Sequence, residues 1–158
     1  MRLEAGHVLL DTTLGLGIDA VWLRELFDVS VVGVEASPAI ALMTAEGLGR
    51  AGMGMPIVCA ESGDYLATLP DDSVDVVYCD PLFERKRLGD GACHTLAGVR
   101  AVGFRGAIDA VWLGEALRVA RSQVVIRDHW DGTLLGELGA PTVLTRKKGV
   151  PRIGTWEL

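Results

Sequence analysis

VLLDTTLGLGIDA, residues 8–20, is the stretch on which the fold turns. A short apolar run, Val8 to Leu10, meets a turn that holds Gly15 and Gly17 between Asp11 and Asp19, and a helical pattern begins at once behind it. Glycine permits positive φ and removes the Cβ that would keep a backbone away from a ligand. One glycine serves a plain strand-to-helix turn; two, flanked by carboxylates, point to a loop approached by a small molecule. In open α/β sheets such loops lie at the carboxyl ends of the strands, where the strand order reverses and ligands bind.

Outward from this loop, β-branched runs alternate with helical periods. HVLLD, VSVVGVE, PIVCA, VDVVYCD and QVVIRD read as strands. DAVWLRELF, PAIALMTAEGLGRAG, Asp64–Leu69 and a long amphipathic segment, Ala107–Ala120, read as helices. Strands this continuously apolar imply a parallel sheet covered on both faces. The last segment, PTVLTRKKGVPRIGTWEL, breaks the rhythm and reads as two strands joined by a basic, glycine-containing turn. The expectation is an α/β fold of three layers, Rossmann-like α/β/α, with a seven-stranded mostly parallel sheet and an antiparallel C-terminal hairpin.

At 158 residues and 49% hydrophobic content the chain, 1–158, is expected to form a single domain with one sizeable core. No apolar run approaches the roughly 20 residues that span a bilayer, and MRLEAGHVLL lacks the pattern of a signal peptide, so a cytoplasmic protein without membrane contact is expected. Cys59, Cys79 and Cys93 are odd in number and lack CxxC spacing, which argues against a disulfide framework or a zinc site. Cys59 and Cys79 read as buried strand residues, and Trp22 and Trp112 as core residues on apolar helical faces. Charge is uneven: residues 1–83 carry 3 Lys and Arg against 13 Asp and Glu, whereas residues 84–158 carry 12 against 8. This suits an acidic half around a cationic cofactor and a basic half facing a polyanion.

Gly15-x-Gly17-x-x-Ala20 matches the looser dinucleotide fingerprint, with Glu35 at the second strand's end to hold ribose hydroxyls. An NAD-binding oxidoreductase is therefore one reading. Asp11 and Asp19, however, would repel a pyrophosphate and attract a ligand bearing an amine and a sulfonium. Asp11, Thr13, Gly15, Gly17 and Asp19 resemble motif I of the class I S-adenosylmethionine-dependent methyltransferases. That resemblance implies S-adenosylmethionine as cofactor and S-adenosylhomocysteine as product. It also implies Glu35, followed by Ala36, on the ribose hydroxyls, with Glu61 and Ser62 at the adenine.

The fourth strand runs into Asp80-Pro81-Leu82-Phe83, which is similar to the (Asp/Asn)-Pro-Pro-(Tyr/Phe) motif of methyltransferases acting on exocyclic amines or glutamine amides. A conjugated amine has a delocalised lone pair, so the site must accept its N–H hydrogens to align that lone pair with the methyl group. The Asp80 carboxylate and the carbonyl of Pro81 suit this, and Phe83 suits stacking on an unpaired base. Such a transfer calls for no metal.

DPLF followed by Arg85-Lys86-Arg87 and by LAGVRAVGFRGAIDA resembles the ribosomal small-subunit methyltransferase J family, over nearly the whole chain from Val8 onward. The resemblance implies methylation of guanine N2 in ribosomal RNA, with ribosomal RNA or the small subunit as partner. Residues 84–106, glycine- and arginine-rich, would be the substrate-binding insertion, with Arg85, Lys86, Arg87, Arg100 and Arg105 on phosphates. Leu82 and Glu84 depart from the prolines of these motifs, and the family's region before the first strand has no counterpart ahead of Val8. The chain is thus expected to lack that N-terminal recognition segment; a homo-oligomer or the missing segment would cover the cofactor. Another amine acceptor, in transfer RNA, DNA or protein glutamine, and a non-catalytic cofactor-binding module stay open. Arg146-Lys147-Lys148 reads as a soluble hairpin tip, and His94 and His129 carry no catalytic expectation.

Overall fold

A computed structural model describes residues 2–81, 108–145 and 147–158. The elements run β1 (Val8–Asp11), α1 (Ile18–Phe27), β2 (Ser30–Glu35), α2 (Pro38–Arg50), β3 (Ile57–Cys59), α3 (Ser62–Thr68) and β4 (Val74–Cys79). They continue with α4 (Ala110–Val119), β5 (Ala120–Asp128), α5 (Leu134–Glu137), β6 (Thr142–Leu144) and β7 (Arg152–Glu157). The seven strands form one sheet in the order β3-β2-β1-β4-β5-β7-β6. β1 pairs in parallel with both β2 and β4, so the chain's first two crossovers leave in one direction and its later ones in the other. The reversal lies between β1 and β4, and the carboxyl ends of those two strands carry Asp11 and Asp80. β7 runs antiparallel to both β5 and β6, which is the expected C-terminal hairpin with β7 placed inside the sheet.

Period-two alternation within strands buried on both sides divides the core into two. Leu10, Val34, Val77, Val124 and Ile126 face Leu66 of α3 and Trp112 and Leu113 of α4. Leu9, Val31, Val76, Tyr78 and Val125 face the other way, with Ala20 of α1 and Leu14 of the first loop. The layers are therefore helix, sheet, helix. Among the described residues, no helix is long and apolar enough to cross a membrane.

Two helix starts differ from expectation, each through a cap. α4 begins at Ala110 rather than Ala107, because the Asp109 carboxylate accepts the Val111 and Trp112 N–H groups, both at 2.9 Å. α3 begins at Ser62 rather than Asp64, with Glu61 as its cap. The short α5 was hidden by glycines on both sides of its buried Leu135. Two burial expectations fail. Cys59 is exposed, at the end of edge strand β3, whereas Cys79 in central β4 is buried as expected. Trp22 is 62% exposed. α1 carries two apolar stripes, and it is the smaller, Ala20 with Leu23, that packs on the sheet while Ile18, Trp22 and Leu26 face outward.

Trp112 is buried as expected, and its Nε1–H donates to the Ser62 hydroxyl at 3.0 Å, pinning α4 to α3. Trp112→Phe keeps most of the apolar packing and removes this donor, so urea unfolding should show a loss of about 1–2 kcal/mol. A midpoint equal to that of the unsubstituted protein would show that the bond contributes nothing.

Candidate functional site

The β1–α1 loop is held from three directions. Gly15 and Gly17 have φ of 52° and 73°, as the sequence implied. A Cβ at Gly17 would also stand 3.2 Å from Leu48 Cδ1 and 3.3 Å from Thr44 Cγ2, so the loop can lie this close to α2 only without a side chain there. The Thr44 hydroxyl donates to the Gly15 carbonyl at 2.7 Å. Leu14 donates its N–H to the Val34 carbonyl, and its side chain sits over Gly33, where an added Cβ would lie 2.6 Å from Leu14 Cδ1.

Glu35, at the end of β2, reaches back into this loop. One carboxylate oxygen accepts the Gly15 N–H at 3.0 Å and the other accepts the Ser37 N–H at 2.7 Å. Each oxygen keeps a further lone pair. Ala36 follows, half-buried, in the turn toward α2. Beyond β3, one oxygen of Glu61 accepts the Gly63 and Asp64 N–H groups at 2.7 and 3.2 Å. The Ser62 hydroxyl, buried beneath Trp112, donates to the other Glu61 oxygen at 3.4 Å. Glu61 and Ser62 therefore organise the start of α3, on the same carboxyl edge of the sheet as Glu35.

Across the reversal point lies a cluster of carboxylates. Asp11 is buried and accepts the Thr13 N–H at 3.0 Å. The Thr13 hydroxyl accepts the Asp80 N–H at 2.7 Å, so one threonine ties the glycine loop to the Asp80-Pro81 turn. The Tyr78 hydroxyl donates to Asp19 at 2.8 Å. Arg127, near the end of β5, places one Nη 2.7 Å from Asp80 and 3.4 Å from Asp19. Burial, and then the neighbouring Asp19 and Asp80, push the Asp11 carboxyl up to about 7. Asp80 is pushed up to about 6 by burial, with Arg127 acting in the opposite sense. The same burial and negative surroundings raise the Tyr78 hydroxyl, which stays protonated. Asp19 and Asp80 share the Arg127 guanidinium, and the buried Asp11 lies close enough to feel both carboxylates, so negative groups outnumber the positive one at this edge.

Arg127 and Tyr78 escaped the sequence reading, although each interrupts an apolar run, QVVIRD and VDVVYCD, near the strand's carboxyl end. A charged or hydroxylated residue at that position of a buried strand is the signal that could have found them. Asp11, Thr13, Gly15, Gly17, Asp19, Glu35, Ala36, Glu61, Ser62, Asp80 and Pro81 are gathered along the carboxyl edge. Phe83 and Arg85, Lys86, Arg87, Arg100 and Arg105, with the insertion 84–106, lie outside the described residues.

The seven-stranded order with its single reversed strand, and the glycine loop at the reversal point, define the class I methyltransferase fold. A SAM dependent methyltransferase from Aquifex aeolicus has this architecture, with a TM-score of 0.62 over 99% of this chain and 84% of that one at 17% identity. In sequence, the chain is similar to the ribosomal RNA small subunit methyltransferase J of Hahella chejuensis, 31% identical over 87% of this chain and 51% of that protein. It is 33% identical to the uncharacterized protein YpiP of Bacillus subtilis over 96% of this chain and 62% of that protein. The chain thus spans between half and two thirds of the length of these two relatives. No family model matches it. The resemblance read from DTTLGLG and DPLF agrees with the relation to methyltransferase J.

Proposed function

We propose that the chain binds S-adenosylmethionine over the β1–α1 loop and transfers its methyl group to the exocyclic N2 amine of guanine in small-subunit ribosomal RNA. The observation that carries this reading is the hydrogen bond from the Asp80 N–H to the Thr13 hydroxyl, because it sets the cofactor loop and the amine-binding turn side by side. The residues fit the cofactor. Asp11, Asp19 and Asp80 complement a sulfonium and an ammonium, and the lone pairs of Glu35 not used by the described residues can take the ribose hydroxyls. Glu61 and Ser62 are fixed by their own hydrogen bonds and would border the adenine. A dinucleotide is disfavoured by the same carboxylates, which would face its pyrophosphate.

The bound cofactor would supply an activated methyl group; the protein's part is orientation. Asp80, as carboxylate, accepts one N–H of the amine, and a carbonyl of the Asp80-Pro81 turn accepts the other. The nitrogen lone pair would thereby be turned toward the methyl carbon for in-line displacement, in which the new N–C bond replaces the sulfonium C–S bond and the surplus amine proton leaves to solvent. Phe83 would stack on the base, and Arg85, Lys86, Arg87, Arg100 and Arg105 would contact phosphates, a contribution weakened by salt.

The test is to incubate the protein with methyl-labelled S-adenosylmethionine and undermodified small subunits or their RNA, and to identify the labelled nucleoside. N2-methylguanosine is expected. Label in another nucleoside, or in transfer RNA, DNA or protein alone, would replace the acceptor; absence of binding to S-adenosylhomocysteine would overturn the cofactor.

A further inference from the structure

We infer that Arg127 is a positioning residue for methyl transfer: from β5 it holds the Asp80 carboxylate in one orientation and in its hydrogen-accepting form. The inference rests on the amine-binding role proposed for Asp80.

The geometry is specific. Cys79 of β4 pairs in parallel with Ile126 of β5, so the next residues, Asp80 just past the end of β4 and Arg127 still within β5, come side by side. Arg127 is in turn registered opposite Ile153 of β7, so its strand is held on both edges. The guanidinium meets Asp80 at 2.7 Å, within range of a strong charge-assisted hydrogen bond, and Asp19 of α1 at 3.4 Å. Tyr78 holds the same Asp19 oxygen at 2.8 Å, which gives that carboxylate a second anchor and leaves Arg127 as the partner of Asp80. Both the cofactor loop, through Thr13, and β5, through Arg127, therefore fix Asp80: one through its backbone, the other through its side chain. The ion pair occupies one carboxylate oxygen; among the described residues the other has no hydrogen-bond partner, and in the proposed role it takes the incoming N–H.

Among the described residues, the groups around Asp80 come from four elements. Asp11 of β1, Asp19 of α1, and Tyr78 and Cys79 of β4 all disfavour its charge or have their own ionisation disfavoured by it, and Arg127 of β5 favours its charge. A protonated Asp80 would offer a donor where the amine needs an acceptor. Without Arg127 the carboxyl would hold its proton to higher pH, because what opposes the burial is then gone.

Arg127→Met and Arg127→Lys separate this from a structural role. In Arg127→Met, transfer at pH 7 should fall about 10- to 100-fold, as when a reacting group is misplaced by about an ångström. Its acid limb should move to higher pH, with S-adenosylmethionine affinity changed far less. Arg127→Lys keeps the charge and should lie between. Independently of activity, carbon NMR of the aspartate carboxyls, with Asp80 assigned through Asp80→Asn, should show Asp80 titrating at higher pH in Arg127→Met than in the unsubstituted protein. An unchanged Asp80 titration overturns the inference, as does a rate that falls only in proportion to lost folded protein with the pH limb in place. The titration is read on the free protein, so a shifted titration without methyl transfer to any acceptor would instead overturn the proposed function. If Arg127→Met does not fold, the Arg127→Lys titration decides.

Discussion

Alanine at position 80 is expected to lower methyl transfer by roughly 10²–10³-fold, the range found when one preorganised polar group is removed from a transition state. The loss should appear mainly in kcat. Asp80 is one of three neighbouring carboxylates, so deleting it weakens the attraction for a bound cation by about 1 kcal/mol, or roughly fivefold in cofactor affinity. Its N–H bond to Thr13 is a backbone contact and survives the substitution. Asp80→Asn should fall between the two, since an amide retains an accepting oxygen but adds a donor that must be turned away. Steady-state rates with RNA, beside calorimetric binding of S-adenosylmethionine, would separate the effects. A rate for Asp80→Ala within threefold of the unsubstituted protein would remove Asp80 from the chemistry.

The second large effect is on pH. Asp11 is pushed up to about 7 and Asp80 to about 6, so the folded protein holds protons that the unfolded chain, with ordinary carboxyls, has released. Stability of the free protein should consequently fall as pH rises from about 4 through about 7, because ionising these groups opposes folding. A cation bound beside these carboxyls favours their ionised forms. Its binding should release protons, and S-adenosylmethionine affinity should rise with pH across that window and level off above it. S-adenosylhomocysteine lacks the sulfonium charge and should show a shallower dependence. Asp11→Asn should bind S-adenosylmethionine more weakly at pH 8, flatten the pH dependence, and melt higher than the unsubstituted protein at that pH. Calorimetry in buffers of different ionisation enthalpy counts the protons directly. Affinity that does not vary between pH 5.5 and 8 would show that the buried carboxylates are not what the cofactor meets.

The parts of the fold set by short-range pattern are readable in the amino-acid sequence. Val31 to Glu35 and Val74 to Cys79 are too uniformly apolar for surface strands, and Gly17 announced a backbone held close to something, which proved to include Leu48 and Thr44 of α2. What escaped depends on which neighbour arrives. Trp22 and Leu23 are adjacent on α1, and local periodicity favoured the larger, yet the sheet accommodates Ala20 and Leu23. Cys59 differs from Cys79 only in lying on the edge strand, a fact of strand order. The role of Arg127 needs a partner 47 residues earlier in the chain, brought alongside by the parallel register of β4 and β5. Glu61 was read for its charge toward adenine, while its nearest occupation, the first turn of α3, follows from backbone groups two and three residues on.

Gly33 and Leu14 carry a last consequence, which concerns inheritance. Leu14 rests where any side chain at position 33 would begin, so the height of the ligand loop above the sheet is written in the emptiness of the neighbouring strand. The two positions are one unit of volume shared between distant codons. A lineage that acquires alanine or valine at 33 must shrink the residue at 14 in step, or lift the loop away from the place where its ligand is met.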